Sequence, residues 1–316
     1  MIIHIKGEKV KLPDFLIVGA ARSATTSLYY YLRKHSQIFM SAIKEPYFFS
    51  FMNNPPNYVS PIKLDIVKWK IEDYIELFKG AKDNQVIGEA STSYLYTYPT
   101  SIENIKRIYG ANYKKLKIII MLRNPVDRAY SQYLVFKRDN VEYLSFKEAT
   151  KPDMIKKRLG DNWNIYYDYI GFGMYYDQIR AYVEEFPETR IFLYDDLLKN
   201  PENLLKDIYA FLNIGFINIS GKERYNQSGI PKNKSIHNLL INSIPFVFKP
   251  LKKLFPRNIG TKIKYKMFEM NLKKPDSDDK ERGCLSSIFE EDIKKTAQLI
   301  NRDLSIWLAA NNRDRQ

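Results

Sequence analysis

Residues 15–26 read Phe-Leu-Ile-Val-Gly-Ala-Ala-Arg-Ser-Ala-Thr-Thr, and the rest of the fold can be built around them. The first four residues are apolar without alternation, which is typical of a short strand buried on both faces. Gly19 ends this strand, and the pattern that follows predicts a helix from about Thr25 to Lys34. A strand, a turn rich in hydroxyl groups and a helix together form the arrangement in which backbone N–H groups and the helix dipole bind an anion.

Further strand and helix patterns alternate along the chain. Lys117–Leu122 is the strongest predicted strand, because its apolar residues follow one another without a break. The other predicted strands are Ile38–Met40, Val86–Ile87 and Arg190–Tyr194, and the predicted helices span about 74–79, 125–136, 175–186, 202–212 and 285–310. This alternation predicts an α/β, P-loop-like three-layer fold with a central parallel sheet flanked by helices.

The expected sheet also predicts where a ligand binds. Parallel sheets of this class bind ligands beyond the carboxyl ends of their strands. Residues 19–26, 89–94 and 123–131 each follow a predicted strand and therefore meet at one edge. These three segments are the candidate site.

Size and charge indicate a globular protein with an anionic partner. The 316 residues are 45% hydrophobic and 27% charged, which is enough for one large domain. We expect a single domain with a core at about 13–215, a basic excursion at about 226–283 and a C-terminal helix at about 284–311. The net charge of +14 favours a nucleotide, an acidic glycan, a nucleic acid or a membrane surface as partner.

Several classes of site and location are disfavoured. One cysteine excludes a disulfide framework, and the three histidines, at positions 4, 35 and 237, are too far apart to suggest a metal-ligand pair. Met1–Leu12 is interrupted by charged residues, so it does not have the apolar region of a signal peptide. No stretch is long and apolar enough to span a membrane, and we expect a soluble, cytoplasmic protein that needs no metal.

The loop after the first strand differs from the loop of ATPases. In the pattern G-x-x-x-x-G-K-[ST], Ala24 stands at the second glycine and Thr25 at the lysine. The positive charge has moved to Arg22, and the strand at 117–122 ends without a carboxylate for Mg²⁺. A terminal sulfuryl group carries less charge than a γ-phosphoryl group, so cationic side chains and backbone donors can assist its transfer. The loop therefore suits a phosphosulfate better than a triphosphate.

Several segments together resemble sulfotransferases that use 3′-phosphoadenosine 5′-phosphosulfate (PAPS), in the bacterial and heparan-sulfate-type branch. GAARSATTSL at 19–28 resembles the 5′-phosphosulfate loop of that family, and IIMLRNPVDRAYS at 119–131 its 3′-phosphate motif. KEPYFF at 44–49 and GEASTSY at 88–94 are similar to the segments between them. The resemblance continues to Trp307 and implies the family's α/β fold and its activity.

The resemblance implies a set of residues that bind PAPS. Arg22 matches the cation beside the bridging oxygen and the sulfuryl group, and it would also be catalytic. Ala24 replaces a usual glycine, which implies an ordinary backbone conformation there. The full implied set is Arg22, Ser23, Ala24, Thr25, Thr26 and Ser27 in the loop, Arg123 and Ser131 at the 3′-phosphate, and Lys232 and Lys234 in a second loop.

The resemblance also implies a general base. Glu45 matches the carboxylate that accepts the proton of the acceptor. Its neighbours Phe48 and Phe49 would bury it and raise its pKa. Without the resemblance, Lys44 and Glu45 would be interpreted as an exposed ion pair. Lys44 and Glu89 are the candidate residues for binding the substrate. Lys44 could instead contact the leaving phosphate, and Glu89 could instead pair with Arg22.

The sequence leaves the acceptor open. The glycan-type resemblance and the basic charge favour a carbohydrate or a glycolipid, and a small metabolite is the alternative. The basic segment at 246–267 suggests either a peripheral membrane contact or a solvated helix surface. A P-loop nucleotide kinase is disfavoured because the lysine and the Mg²⁺ ligands are missing, and no nucleic-acid-binding motif accompanies the positive charge.

Overall fold

A computed structural model describes residues 1–5, 7–64, 66–218, 230–233, 270–273 and 279–308 of the chain. The described strands are β1 (Ile2–Ile5), β2 (Glu8–Lys11), β3 (Phe15–Gly19), β4 (Ile38–Met40), β5 (Val86–Ala90), β6 (Lys117–Leu122), β7 (Thr189–Leu193), β8 (Ile230–Pro231) and β9 (Leu272–Lys273).

The described helices surround these strands. They are α1 (Thr25–Arg33), α2 (Phe48–Phe51), α3 (Ile71–Ile75), α4 (Ser93–Tyr96), α5 (Tyr98–Tyr109), α6 (Pro125–Arg138), α7 (Phe146–Ala149), α8 (Pro152–Gly160), α9 (Tyr175–Glu185), α10 (Tyr194–Lys199), α11 (Pro201–Phe211), α12 (Asp279–Ile300) and α13 (Ser305–Leu308). Short 3₁₀ turns lie at 76–78, 110–115, 165–167 and 171–173.

Five parallel strands form the central sheet, in the order β4-β5-β3-β6-β7. Phe15 of β3 pairs with Gly88 of β5 on one side and with Lys117 of β6 on the other. Because all five strands run the same way, the loops after β3, β5 and β6 leave from one edge. The predicted α/β fold with a helix-flanked parallel sheet is confirmed.

Alternate residues of the two middle strands face opposite sides of the sheet. Leu16 and Val18 pack into one apolar core with α5, α6, α9 and α12. Phe15 and Ile17 pack into a second core with α1 and α11. A strand buried on both faces explains the unbroken apolar runs in the sequence, and the two cores make the three layers.

The structure differs from the predicted elements at the chain ends. β1 and β2, which the sequence reading left unassigned, pair antiparallel. The predicted continuous C-terminal helix is wrong at 301–304, because Asn301 adopts a left-handed backbone (φ 50°) that ends α12 before the short helix α13 begins. The predicted strand at 190–194 is shifted by one residue, and Tyr194 begins α10.

The short helix α13 folds back onto the edge of the sheet. The indole nitrogen of Trp307 donates to Asp195 at 3.0 Å, and its carbonyl oxygen accepts from the side chain of Asn124 at 3.2 Å. Asn124 lies between β6 and α6, where it caps that helix by accepting from two backbone N–H groups. The end of the described chain therefore supports the turn that carries Arg123.

Part of the predicted basic excursion is described. β8 and β9 pair antiparallel, with Ile230 opposite Lys273. The basic segment at 246–267 and Lys234 lie outside the described residues, so the membrane contact stays a prediction. No helix in the described ranges is long and apolar enough to cross a bilayer. The assignment of the whole chain to a single domain also stays a prediction.

Gly88 allows β5 to lie close to its neighbours. A Cβ atom at this position would lie 2.2 Å from the ring of the buried Phe15 and 2.7 Å from Met40 Sδ. We expect Gly88→Ala to destabilise the fold by about 1–3 kcal/mol, because a packed core resists overfilling. Gly160→Ala is the matched control, since a Cβ at the end of α8 has no neighbour within 4 Å. Equal melting temperatures for the two variants would contradict this packing argument.

Candidate active site

The phosphate-type loop joins β3 to α1 through strained backbone. Arg22 and Ala24 both adopt left-handed conformations, with φ of 66° and 64°. Backbone of this kind turns successive N–H groups toward one side, where they form an anion-binding concavity. The expectation of an ordinary conformation at Ala24 is wrong, and a left-handed alanine costs about 1–2 kcal/mol. Such strain is typical of a functional loop.

The first turn of α1 is available to a ligand. No side chain caps the helix at Ala24. Thr25 and Ser27 are buried in the helix, Thr26 is partly exposed, and Ser23 precedes them with a buried hydroxyl. In the described part of the chain, Ser23 Oγ has no hydrogen-bond partner. An uncapped helix start beside an unpaired hydroxyl fits a phosphate group.

Arg22, Arg123 and Ser131 meet at this edge, as the sequence predicted. Arg22 Nε donates to Ser131 Oγ at 3.1 Å. Arg123 donates to the carbonyl oxygen of Arg22 at 3.2 Å, and its guanidinium lies 4.7 Å from the ring centre of Tyr194. The loop after β3 and the turn after β6 are thereby joined directly.

Positive charge is concentrated in this cluster. Burial, together with the nearby charges of Arg138 and Arg123, lowers the pKa of Arg22 to about 10. Burial also lowers the pKa of Arg123. Within the described ranges, the buried Nε of Arg123 has no hydrogen-bond partner. An unpaired buried donor is costly, and a bound anion would remove that cost.

Glu45 lies beside the cluster on the segment after β4. Its backbone N–H donates to the carbonyl oxygen of Ala90 at 2.8 Å, which fixes the segment against β5. Lys44 Nζ lies 2.5 Å from Glu45 Oε1, and the hydroxyl of Tyr47 donates to Oε2 at 2.5 Å. The side chains of Lys44 and Glu45 are 16% and 23% exposed, so this is a partly buried ion pair and not a freely solvated one.

The environment of Glu45 favours its ionised form. Burial alone would raise its pKa, but the charge and hydrogen bond of Lys44, together with bonds from Tyr47 and Thr92, outweigh burial and lower it. The expectation that Phe48 and Phe49 raise this pKa is therefore wrong. Those two rings are buried in the core and stack around Tyr74. At neutral pH Glu45 is a carboxylate and can accept a proton.

Glu89 is in a different position from the one expected. Its side chain is 0% exposed, and it accepts hydrogen bonds from Ser91 and Tyr94 at 2.7 Å and from Tyr74 at 3.2 Å. These three bonds come from tyrosine and serine side chains, and no bond from Arg22 to Glu89 is found in the described part of the chain. Burial raises the pKa of Glu89 to about 7. The sequence could not reveal this, because Tyr74 comes from a separate segment and the burial of Glu89 depends on the packing of the core.

Glu89 instead supports the segment that holds Glu45. Ser91 Oγ donates to Glu89 and accepts from the backbone N–H of Tyr47 at 3.1 Å. Tyr47 in turn donates to Glu45. A hydrogen-bonded chain therefore runs from the buried carboxylate to the candidate base, and Glu89 acts through it as a positioning residue.

Tyr166 and Thr92 are site residues that the sequence analysis missed. The hydroxyl of Tyr166 lies 3.4 Å from Glu45 Oε2 and 3.1 Å from Thr92 Oγ1. Its ring stacks on Phe172, which stacks in turn on Tyr96. Thr92 belongs to the quoted segment at 88–94, but Tyr166 lies in an aromatic-rich stretch without a motif. Only the folded chain brings it to the base.

The predicted second loop is only partly described. Lys232 is exposed, and its ammonium group donates to the carbonyl oxygen of Met270 at 2.8 Å. Its role at the 3′-phosphate stays a prediction. Across the described ranges, no three carboxylate, histidine or cysteine side chains cluster as metal ligands would.

Comparison with known protein families matches the part of the chain that contains these site residues. The sulfotransferase domain family matches residues 12–227, about two thirds of the chain and the whole of the edge described above. The chain belongs to this family. Its fold is similar to the crystal structure of a sulfotransferase from Alicyclobacillus acidocaldarius, with 27% identity, a TM-score of 0.70 and coverage of 94% of this chain and 99% of that one.

Relatives among characterised proteins are sulfotransferases of several kinds. The membrane-associated sulfotransferase kil1 of Dictyostelium discoideum is 26% identical over 76% of this chain and 64% of its own length. Mouse carbohydrate sulfotransferase 15 is 30% identical over 46% of this chain and 31% of its own length. Human bifunctional heparan sulfate N-deacetylase/N-sulfotransferase 2 is 35% identical over 39% of this chain and 13% of its own length. The chain thus spans less than two thirds of the length of these relatives.

The raised pKa of Glu89 has a measurable consequence for stability. A carboxyl whose pKa is higher in the folded than in the unfolded state stabilises the fold below its ordinary pKa near 4.5, and this is lost as the pH rises through 7. We expect the stability of the wild-type chain relative to Glu89→Gln to fall by about 3 kcal/mol between pH 5 and pH 8. Urea unfolding at several pH values measures this difference.

Glu142→Gln is the control for this titration. Glu142 is buried and binds Arg158 through bonds of 2.6 and 2.8 Å. Burial opposes its ionisation, but Arg158 outweighs burial and lowers the pKa of Glu142. The stabilisation by ionised Glu142 is therefore lost only as the pH falls below about 4.5. The difference in the free energy of unfolding between the wild type and Glu142→Gln should stay constant between pH 5 and pH 8. If the difference in the free energy of unfolding between the wild type and Glu89→Gln were also constant, Glu89 would not titrate in this range.

Proposed function

We propose that this chain transfers the sulfuryl group of PAPS to a hydroxyl or amine of a carbohydrate or glycolipid acceptor. The observation that carries the proposal is the juxtaposition of an arginine cluster and an ionised carboxylate. Arg22, Arg123 and Ser131 are joined by hydrogen bonds, and Glu45 lies beside them. Membership in the sulfotransferase domain family supports the same activity.

The cluster fits the two charged ends of PAPS. The loop at 19–26 and the uncapped start of α1 would bind the 5′-phosphosulfate. Arg123 and Ser131 would bind the 3′-phosphate, and the unpaired Nε of Arg123 is a donor that suits it. Residues 23–27 would bind the 5′-phosphosulfate mainly through their backbone N–H groups. Arg22 lies between the two ends and would neutralise charge near the transferred group.

Glu45 would act as the general base. The acceptor oxygen forms a bond to sulfur while the bond from sulfur to the 5′-phosphate oxygen breaks. The electron pair of that bond stays with the phosphate, where Arg22 and backbone N–H groups stabilise it. The proton of the acceptor passes to Glu45. The products are a sulfated acceptor and 3′-phosphoadenosine 5′-phosphate (PAP).

A glycan acceptor is supported by charge and by the relatives. The net charge of +14 suits an acidic polymer. Mouse carbohydrate sulfotransferase 15 and the heparan sulfate enzyme carry glycan substrates in their names. A small metabolite is the second candidate, and a nucleotide kinase is a third, disfavoured by Thr25 at the position of the P-loop lysine. The cytoplasmic location stays a prediction.

Thermal stabilisation by nucleotides tests the donor. A ligand that binds only the native chain raises its melting temperature. We expect PAP to stabilise the chain more than AMP or Mg·ATP does, because only PAP carries the 3′-phosphate. Radiolabelled PAPS with a panel of glycans, glycolipids and phenols then tests the acceptor. A larger shift with Mg·ATP would favour the kinase alternative over the sulfotransferase.

Arg123→Ala should weaken PAP binding by about 10-fold to 100-fold, the loss expected for a charge-assisted hydrogen bond. Binding of AMP should change much less. Isothermal titration calorimetry measures both. Arg190→Ala on the neighbouring strand β7 is the control, since Arg190 is exposed and packs over Phe211. Equal losses for PAP and AMP would refute the assignment of Arg123 to the 3′-phosphate.

Glu45→Gln should abolish most turnover and leave PAP affinity within a few-fold of the wild type. The amide keeps the size of the side chain but cannot take a proton at neutral pH. A loss of about 100-fold or more in kcat is typical of a removed general base. Initial rates of sulfate transfer and calorimetry with PAP measure the two effects. Wild-type turnover in this variant would rule out Glu45 as the base.

A further inference from the structure

Four donors surround the carboxylate of Glu45. Lys44 and Tyr47 form the short bonds, each at 2.5 Å, to Oε1 and Oε2, and the hydroxyls of Thr92 and Tyr166 make longer contacts of 3.4 Å to the same two oxygens. Each oxygen thus already accepts one short bond. An acceptor hydroxyl therefore competes with a tightly bound donor at either oxygen, and departure of that donor would free the oxygen for proton transfer.

Lys44 is the donor that is free to move. Tyr47 is held by the bond from its backbone N–H to Ser91, and Tyr166 by stacking on Phe172. Thr92 is buried in the turn after β5. Lys44 is held within the described part of the chain only by Glu45, and its ammonium group sits on a flexible four-carbon stem.

A competing anion would bind beside Lys44. Five ionisable groups face Glu45 from its own segment, the loop after β3, strand β5 and the turn after α8: Lys44, Tyr47, Arg22, Glu89 and Tyr166. Arg22 belongs to the candidate phosphosulfate loop, so the ligand of that loop lies next to the pair. Its 5′-phosphate or phosphosulfate brings negative charge that competes with Glu45 for Lys44.

We propose that Lys44 is a mobile positioning residue that pairs with Glu45 in the free chain and moves to the 5′-phosphosulfate when the donor binds. This inference rests on the proposed function. Its movement exposes Glu45 Oε1 to the acceptor only when PAPS is present. Through this movement, binding of PAPS makes Glu45 available to accept the proton of the acceptor.

The proposed movement changes no covalent step. The acceptor proton goes to Glu45 Oε1, sulfur changes its bond from the phosphate oxygen to the acceptor oxygen, and the bonding electrons stay on PAP. Lys44 then lies against the phosphate that carries this new charge. When PAP leaves, Glu45 releases its proton to solvent and Lys44 returns to the carboxylate.

Proton uptake on PAP binding tests the movement. Loss of Lys44 from the pair raises the proton affinity of Glu45, so the complex takes up protons near pH 5. Calorimetry of PAP binding at pH 5, in buffers of different ionisation enthalpy, counts these protons. We expect the wild-type chain to take up roughly half a proton more than Glu45→Gln, and Lys44→Gln to take up about as much as the double variant Lys44→Gln/Glu45→Gln. Each comparison keeps residue 44 unchanged, so the phosphates of PAP and their contact with Lys44 cancel.

Lys106→Gln is the matched control, because Lys106 forms a remote ion pair with Glu185 at 2.8 Å. It should keep the proton uptake of the wild type. Each binding experiment is run at saturating PAP, so a modest loss of affinity in Lys44→Gln does not affect the count. A Glu45-dependent uptake that is equal with and without Lys44, with PAP bound to all four chains, would overturn the movement of Lys44 and leave the proposed function standing. Absence of PAP binding to the wild type would overturn both.

Discussion

Partly buried positive charge that forms no ion pair in the described part of the chain is the constraint on which the site depends. Arg22 and Arg123 lie at the edge of the sheet, and neither forms an ion pair among the described residues. Taking guanidinium groups out of water is costly unless they are hydrogen-bonded. Their few bonds go to Ser131 and to a backbone carbonyl, which leaves donors unused. The fold holds them there because the turns after β3 and β6 belong to adjacent, fully buried strands.

The same sheet arranges carboxylates of two kinds. Glu45 lies at the opening, where Lys44 and Tyr47 keep it ionised. Glu89 is fully buried, and burial favours its neutral form. Ser91 connects the two through Tyr47. The difference in exposure thus separates a residue that can exchange protons with a substrate from one that holds the segment in place.

The sequence predicted the framework well and the fine structure of the site less well. Unbroken apolar runs at 15–18 and 118–122 identified the central strands, because both faces of the sheet are covered. The meeting of Arg22, Arg123 and Ser131 followed from that topology. The burial of Glu89 and the approach of Tyr166 to Glu45 did not, because both depend on contacts between distant segments. The left-handed backbone at Ala24 did not either, because alanine rarely adopts that conformation.

The short helix α13 has a consequence for the order in which the protein is made. Its Trp307 binds Asn124 and Asp195, and so fastens the turn that presents Arg123. The five strands of the central sheet and the phosphate-type loop all precede residue 194, and a ribosome supplies them first. The support behind Arg123 is completed only after residue 307 has been synthesised. Maturation of the anion site therefore lags behind synthesis of the sheet that carries it.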